Sequence, residues 1–110
     1  MPSPYRPSPA VRRALRKVGE DIREARLRRN LSMEVVAERA ATSRATLTRL
    51  EKGDPAVSAG ILAGVLQALG MLVRLADLAD SAEDRQGLDI SRETLRQRAS
   101  SPRNRAAKDE

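Results

Sequence analysis

Apolar residues recur at spacings of three and four along most of the first 80 positions, which is the period of helices that bury one face. The first such stripe runs from Ala10 to about Arg29 and consists of Leu15, Val18, Ile22 and Ala25. Ser8 followed by Pro9 is a typical helix start. Gly19 interrupts the stripe at a cost of about 1 kcal/mol relative to alanine. The first helix is therefore predicted to loosen or to begin again at this glycine.

Three further helices are predicted, each opened by a serine that can cap the free N–H groups of its first turn. These caps are Ser32, Ser43 and Ser58. A very short break separates the segments "SMEVVAERA" and "SRATLTRLEK", and Gly53 followed by Asp54-Pro55 ends the latter. Gly70 closes the fourth helix. The inward-facing residues of these three helices are predicted to be Val36, Ala37, Ala40, Leu47, Leu50, Ile61, Leu62, Val65, Leu66 and Leu69.

The segment "MLVRLADLAD" could be a fifth helix or a strand, and a helix is favoured because Ala, Leu, Arg and Asp outnumber β-branched residues in it. Beyond Asp80 the apolar pattern fades. The predicted organisation is a flexible arm over residues 1–9, a compact all-α domain over 10–80, a loosely packed extension over 81–98 and a disordered basic tail over 99–110.

The charge balance favours a polyanionic partner, since the chain carries a formal net charge of +6. It contains neither cysteine nor histidine. Those absences exclude disulfides, a Cys/His zinc site and a nucleophile paired with an imidazole base. Neither an enzyme activity, nor a metal, nor a cofactor is predicted.

Membrane insertion and nucleic-acid stacking are also disfavoured by the sequence. We find no uninterrupted hydrophobic span and no signal-peptide core, so no membrane association is predicted and a bacterial cytoplasm, at the nucleoid when DNA is bound, is the expected location. Tyr5 is the only aromatic residue and lies in the predicted arm. RNA or single-strand binding by stacking on aromatic side chains is therefore not expected.

The second and third helices have the arrangement of a helix-turn-helix motif, in which the second of the two helices enters the major groove. Leu47 and Leu50 form the inner side of that helix, which leaves its remaining residues outside. Arginine at such a position can donate two hydrogen bonds to guanine. The alternative is that the exposed Arg44 and Arg49 are merely solvated.

The stretch "IREARLRRNLSMEVVAERAATSRATLTRLEKGDPAVSAGILAGVLQALGM" resembles the Cro/C1-type (XRE-like) domain, and the resemblance extends from Gly19 to about Val73. It implies a compact five-helix λ-repressor-like fold, here with flexible basic N- and C-terminal arms, that binds an operator in double-stranded DNA. It also implies a structural ion pair between Arg26 and Glu51. The base-facing residues it implies are Arg44, Ala45, Thr48 and Arg49. The backbone-facing residues it implies are Ser32, Met33, Ser43, Thr46 and Lys52, although Ser32 and Ser43 could serve as caps only.

One position departs from that family. Its members usually have glycine where this chain has Ala41, and the backbone there is expected to be left-handed. That conformation costs a non-glycine residue about 1–2 kcal/mol. The sequence therefore predicts that Ala41→Gly stabilises the protein.

The region after the fourth helix, "LGMLVRLADLADSAEDRQGLDISRETLRQR", is similar to HipB-like antitoxins that accompany HipA-like kinase toxins. That resemblance implies an autorepressing DNA-binding protein that also binds the kinase. Many such proteins end in "LPKR" where this chain has "LRQR" at 95–98. The alternatives are a stand-alone Cro/C1-type repressor and, in another class, a helical interaction module that does not bind DNA.

A homodimer is expected, because one such domain covers too little DNA to be selective and paired domains read half-sites about 34 Å apart. The apolar patch predicted for this contact is Leu72, Val73, Leu75 and Leu78, and the alternative is that these side chains belong to the core. The basic residues of the two terminal regions could follow DNA phosphates or be ordinary solvated charges. They are Arg6, Arg12, Arg13, Arg16 and Lys17 at one end and Arg96, Arg98, Arg103, Arg105 and Lys108 at the other.

Overall fold

A computed structural model describes residues 5–99 of the chain. The first four residues of the predicted flexible arm lie outside this range. So do residues 100–110, which make up nearly all of the predicted disordered tail.

The described residues form six α-helices and one 3₁₀ turn, which confirms the predicted all-α class. The helices are α1 (Pro9–Arg28), α2 (Met33–Arg39), α3 (Arg44–Glu51), α4 (Ala59–Ala68), α5 (Leu72–Ala76) and α6 (Arg85–Ala99), and the 3₁₀ turn is Ser81–Glu83. The segment left open between helix and strand contains α5 and is therefore helical. The sequence did not predict α6.

A serine opens each of the first four helices. Each of these serines has an extended backbone, and its hydroxyl oxygen accepts a hydrogen bond from the N–H three residues later. That bond satisfies one of the donors left free in the first turn of a helix. The four caps predicted from the sequence are confirmed, and they are Ser8, Ser32, Ser43 and Ser58.

The same four helices end in one recurring hydrogen-bond pattern. After each helix a residue with positive φ turns the chain, and the N–H of the next residue bonds back to a carbonyl five positions earlier. This is the Schellman motif, which usually has glycine at the turning position. The turning residues are Asn30, Ala41, Gly53 and Gly70. Ala41 has φ of 54°, so the left-handed conformation expected there is present.

Ala41→Gly is expected to raise the free energy of unfolding by about 0.5–1 kcal/mol. The change removes left-handed strain of about 1–2 kcal/mol, and the greater freedom of glycine in the unfolded chain offsets part of the gain. Thermal unfolding followed by circular dichroism checks this result. Asn30→Gly is the matched control at φ of 55° and should gain less, because asparagine tolerates this conformation. A lower melting temperature for Ala41→Gly would contradict this account of the turn.

The chain divides into two units, and the first extends to Leu75. Within it α1 packs against α3, and α2 packs against both α3 and α4. The core between these four helices is aliphatic. Its buried members are Ile22, Ala25, Val36, Ala37, Leu47, Leu50, Val65 and Leu69.

Two expectations for the first helix are wrong. The helix neither loosens nor restarts at Gly19, because α1 is continuous from Pro9 to Arg28 and Gly19 is buried within it. Val18 was assigned to the inward stripe, but 38% of it is exposed. Both errors have one cause: the buried side of α1 runs through Gly19, Ile22, Ala25 and Arg26 and does not include the neighbouring Val18.

The second unit begins at Ala76 and contains the 3₁₀ turn and α6, which contact each other. Two aspartates cap these elements. The Asp80 carboxylate accepts the N–H of Ala82, and the Asp84 carboxylate accepts the N–H of Gly87. The large apolar residues of α6 are exposed, and they are Leu88, Ile90 and Leu95.

Candidate nucleic-acid interface

Helices α2 and α3 meet through the short connection 40–43. Its first half is the left-handed turn at Ala41, and its second half is the extended cap residue Ser43. The Thr42 N–H bonds to the Ala37 carbonyl at 2.9 Å, which ties the connection to the end of α2. Backbone hydrogen bonds therefore define the path between the two helices, as a helix-turn-helix unit requires.

One side of α3 is fixed in the body of the protein. Leu47 is fully buried, and Leu50 and Glu51 are each only 8% exposed. The positions predicted to face bases lie on the other side, where Arg44, Ala45 and Arg49 are exposed and Thr48 is half-buried. The helix thus presents a polar, basic outer side on a fixed support.

Arg26 and Glu51 make a buried, two-point ion pair between α1 and α3. Arg26 Nε donates to Glu51 Oε2 at 2.8 Å, and Arg26 Nη2 donates to Oε1 at 3.1 Å. The third nitrogen, Nη1, donates to the Leu31 carbonyl at 3.2 Å. The hydrogen bonds to Glu51 raise the pKa of Arg26 further above its ordinary value, against the opposing effect of burial. Since both side chains are buried and belong to different helices, the pair joins α1 to α3 and leaves little of either side chain accessible.

Arg44 is the first residue of α3, and its side chain is 65% exposed. Its Nη1 lies 3.5 Å from the Glu34 Oε1 of α2. Exposed pairs of this kind contribute about 0–1 kcal/mol. Glu34 can therefore be displaced from Arg44 at little cost.

Arg49 is held by an aspartate that follows the helix. Its Nε donates to Asp54 Oδ2 at 2.7 Å, while Asp54 Oδ1 accepts the Ala56 N–H at 2.8 Å. Because this contact uses only Nε, the terminal nitrogens of Arg49 make no hydrogen bond within residues 5–99. Two such donors are enough for a bidentate contact with guanine.

The role of Asp54 was not predicted from the sequence, in which Asp54-Pro55 indicated only the end of the helix. The signal in the sequence was the spacing, because Asp54 follows Arg49 by five residues across the predicted helix end. In the structure the Asp54 N–H bonds to the Arg49 carbonyl at 3.0 Å, which brings the two residues together. The hydrogen bond from Ala56 N–H and then the one from Arg49 lower the pKa of Asp54. The carboxylate therefore keeps its charge, and its hold on Arg49, to a lower pH than a free aspartate would.

The positions predicted to face the DNA backbone lie at the starts of α2 and α3 and at the end of α3. The hydroxyls of Ser32 and Ser43 both accept capping bonds from backbone N–H groups. Ser43 also donates to Thr46 Oγ1 at 2.9 Å. Met33 packs partly against the core, and Lys52 is exposed at the C-cap of α3. The serines thus act as caps in the free chain.

The residues predicted for a dimer patch differ in exposure. Leu72 is 39% exposed and Val73 is 65% exposed, whereas Leu75 is half-buried. Leu78 is 72% exposed and belongs to the second unit.

Residues 5–99 contain no group of three or more carboxylates placed to hold a metal ion. Within the same residues no helix is both long enough and apolar enough to span a bilayer.

The sequence model of a family described as a helix-turn-helix domain matches residues 17–80, which include all of α2 to α5 and the buried ion pair. No curated protein and no solved structure matches the chain.

Proposed function

The chain belongs to the helix-turn-helix domain family, and from that membership we propose that it is a transcriptional regulator that recognises a specific sequence of double-stranded DNA. The observation that carries the proposal is the outer side of α3. Arg44 and Arg49 are exposed there, while the buried inner side of the same helix is fixed in the core. A rigid helix with free guanidinium donors is suited to reading base edges in the major groove.

Each arginine meets the requirements of a base contact in a different way. Arg44 stands at the start of α3, where family recognition helices approach the bases, and only an exposed pair with Glu34 competes for it. Arg49 is oriented in advance by Asp54, so less side-chain entropy is lost on binding. Ala45 lies between them and offers a methyl group for contact with thymine. Serine hydroxyls and free N–H groups at the helix starts are suited to phosphate oxygens.

Arg44→Ala and Arg49→Ala are each expected to weaken binding to the preferred duplex by about 1–2 kcal/mol, or roughly five- to thirty-fold, because each loses a base contact. The preferred duplex is obtained by selection from a randomised pool, and affinity is measured on it and on a random duplex of equal length. The random duplex should show little change.

Arg28→Ala is the matched control, since Arg28 is an exposed arginine of α1 outside the motif. It should leave the ratio of the two affinities unchanged. Equal losses on selected and random DNA for the α3 variants would show that these arginines contact only the backbone.

The regulator is proposed to act as a homodimer. The exposed Leu72 and Val73 of α5, together with Leu75, are the residues proposed for the contact, and Leu78 is a further candidate. The selected duplex tests this directly, because a two-fold dimer reads two inverted half-sites about 34 Å apart. A single, unrepeated site would contradict the dimer.

A finer assignment, based on the resemblance of the region after α4, is that the chain is the autorepressing antitoxin of a HipA-like kinase toxin. A kinase gene that shares the promoter, and co-purification of the kinase with this chain, would support the assignment. Their absence would favour the stand-alone repressor. Failure to shift its own promoter fragment at low salt would favour an interaction module instead.

A further inference from the structure

A groove beside α3 gathers cations from two helices. Arg12 and Arg16 of α1 line it together with Arg49 and Lys52, and Asp54 contributes the single carboxylate. The two α1 residues lie four apart, so they share one face of the helix. Two parts of the sequence that lie far apart thus contribute positive charges to the same groove.

Close packing of backbone brings the two parts together. A Cβ placed on Gly53 would lie only 2.7 Å from the Cα of Arg16, so only glycine allows the turn after α3 to approach α1 this closely. Gly53 also has φ of 82°, which glycine adopts without strain. The groove is therefore a fixed feature of the packing.

The charges in this groove are not balanced within the described part of the chain. The Asp54 carboxylate is already bonded to Arg49 Nε and to the Ala56 N–H. Within residues 5–99, Arg12, Arg16 and Lys52 form no ion pair. Three unpaired cations beside one satisfied carboxylate make the groove locally positive, which attracts an external anion.

We propose that Arg12, Arg16 and Lys52 form a phosphate-binding surface that contacts the DNA backbone beside the bases read by Arg49. This inference rests on the proposed binding of duplex DNA. Arg49 lines the groove and also belongs to the outer side of α3, so a duplex docked on α3 brings its backbone to these cations. The N-terminal part of α1 thereby adds affinity, whereas base selection stays with α3.

The basic residues at the start of α1 differ in their surroundings. Lys17 is paired with Asp21 at 2.5 Å, and Arg13 does not line the groove. Arg12 and Arg16 therefore contact phosphate, while their equally basic neighbours do not.

The test compares the full chain with Arg12→Gln/Arg16→Gln on the selected and the random duplex from 50 to 200 mM salt. Each phosphate contact contributes about 0.9 to the slope of log K against log salt. The double variant should have a slope shallower by about 1.8, with the same fold loss of affinity on both duplexes. Arg12→Gln alone should change the slope by about 0.9, which provides a milder variant.

Arg13→Gln/Arg28→Gln removes the same net charge from exposed positions outside the groove and is the matched control. Its slope should stay close to that of the unmodified chain. An unchanged slope for Arg12→Gln/Arg16→Gln, or an equal change in the control, would overturn the phosphate surface and leave the proposed function intact. Failure of the unmodified chain to bind any duplex would overturn both.

Discussion

Replacing Glu51 with alanine is expected to lower the free energy of unfolding by about 3–5 kcal/mol. The substitution leaves the buried Arg26 guanidinium without its counter-ion, and only the bond to the Leu31 carbonyl remains. Small domains are stable by about 5–15 kcal/mol in total. The loss is therefore a large fraction of the stability, and urea unfolding followed by far-ultraviolet circular dichroism measures it without needing a tryptophan.

Two further variants separate the buried charge from ordinary surface effects. Glu34→Ala removes an exposed carboxylate that also faces an arginine, and it should cost no more than about 1 kcal/mol. Arg26→Met combined with Glu51→Leu removes both charges and should recover most of the lost stability, because no unpaired ion remains inside. If Glu51→Ala costs no more than Glu34→Ala, the pair does not hold α3.

Glu51→Ala is expected to affect DNA binding only by unfolding the protein. Glu51 is the last residue of α3 and is only 8% exposed, so we expect it to make no contact with DNA. Weaker binding by Glu51→Ala should therefore match the fraction of unfolded chain and disappear at low temperature where the chain is folded. Arg44→Ala should show the opposite behaviour, with full stability and reduced selectivity.

Much of the fold was predictable because its signals are local. A serine cap acts on an N–H three residues away, and the C-terminal turn at Gly53 or Gly70 depends on one residue's backbone preference. Such interactions can be predicted without knowing how the rest of the chain folds, and the observed starts and ends of the first four helices agree with the predicted ones. The left-handed turn at Ala41 was predicted although alanine disfavours this conformation, because the resembling family usually has glycine at that position.

The interactions between helices were harder to predict, since they depend on which surfaces meet. From its low helix propensity alone, Gly19 was predicted to interrupt the first helix. In the structure a Cβ at this position would lie 2.4 Å from the Glu51 carbonyl oxygen and 2.6 Å from that of Leu50. The missing side chain is thus what lets α1 lie against α3. Asp54 also has a role that its local signal does not show, because it follows the end of α3 and orients Arg49.

Gly19→Ala is expected to cost about 3 kcal/mol of stability, near the upper end for overpacking of a close contact, even though alanine is the better helix former. The methyl group would press on backbone carbonyls of Leu50 and Glu51, which cannot rotate away as a side chain can. Gly60→Ala in the first turn of α4 is the matched control. A Cβ there meets nothing closer than the Ser58 hydroxyl at 3.8 Å, so that variant should gain up to about 1 kcal/mol. Urea unfolding of both variants should give shifts of opposite sign; equal gains would mean that α1 does not pack on α3 at Gly19.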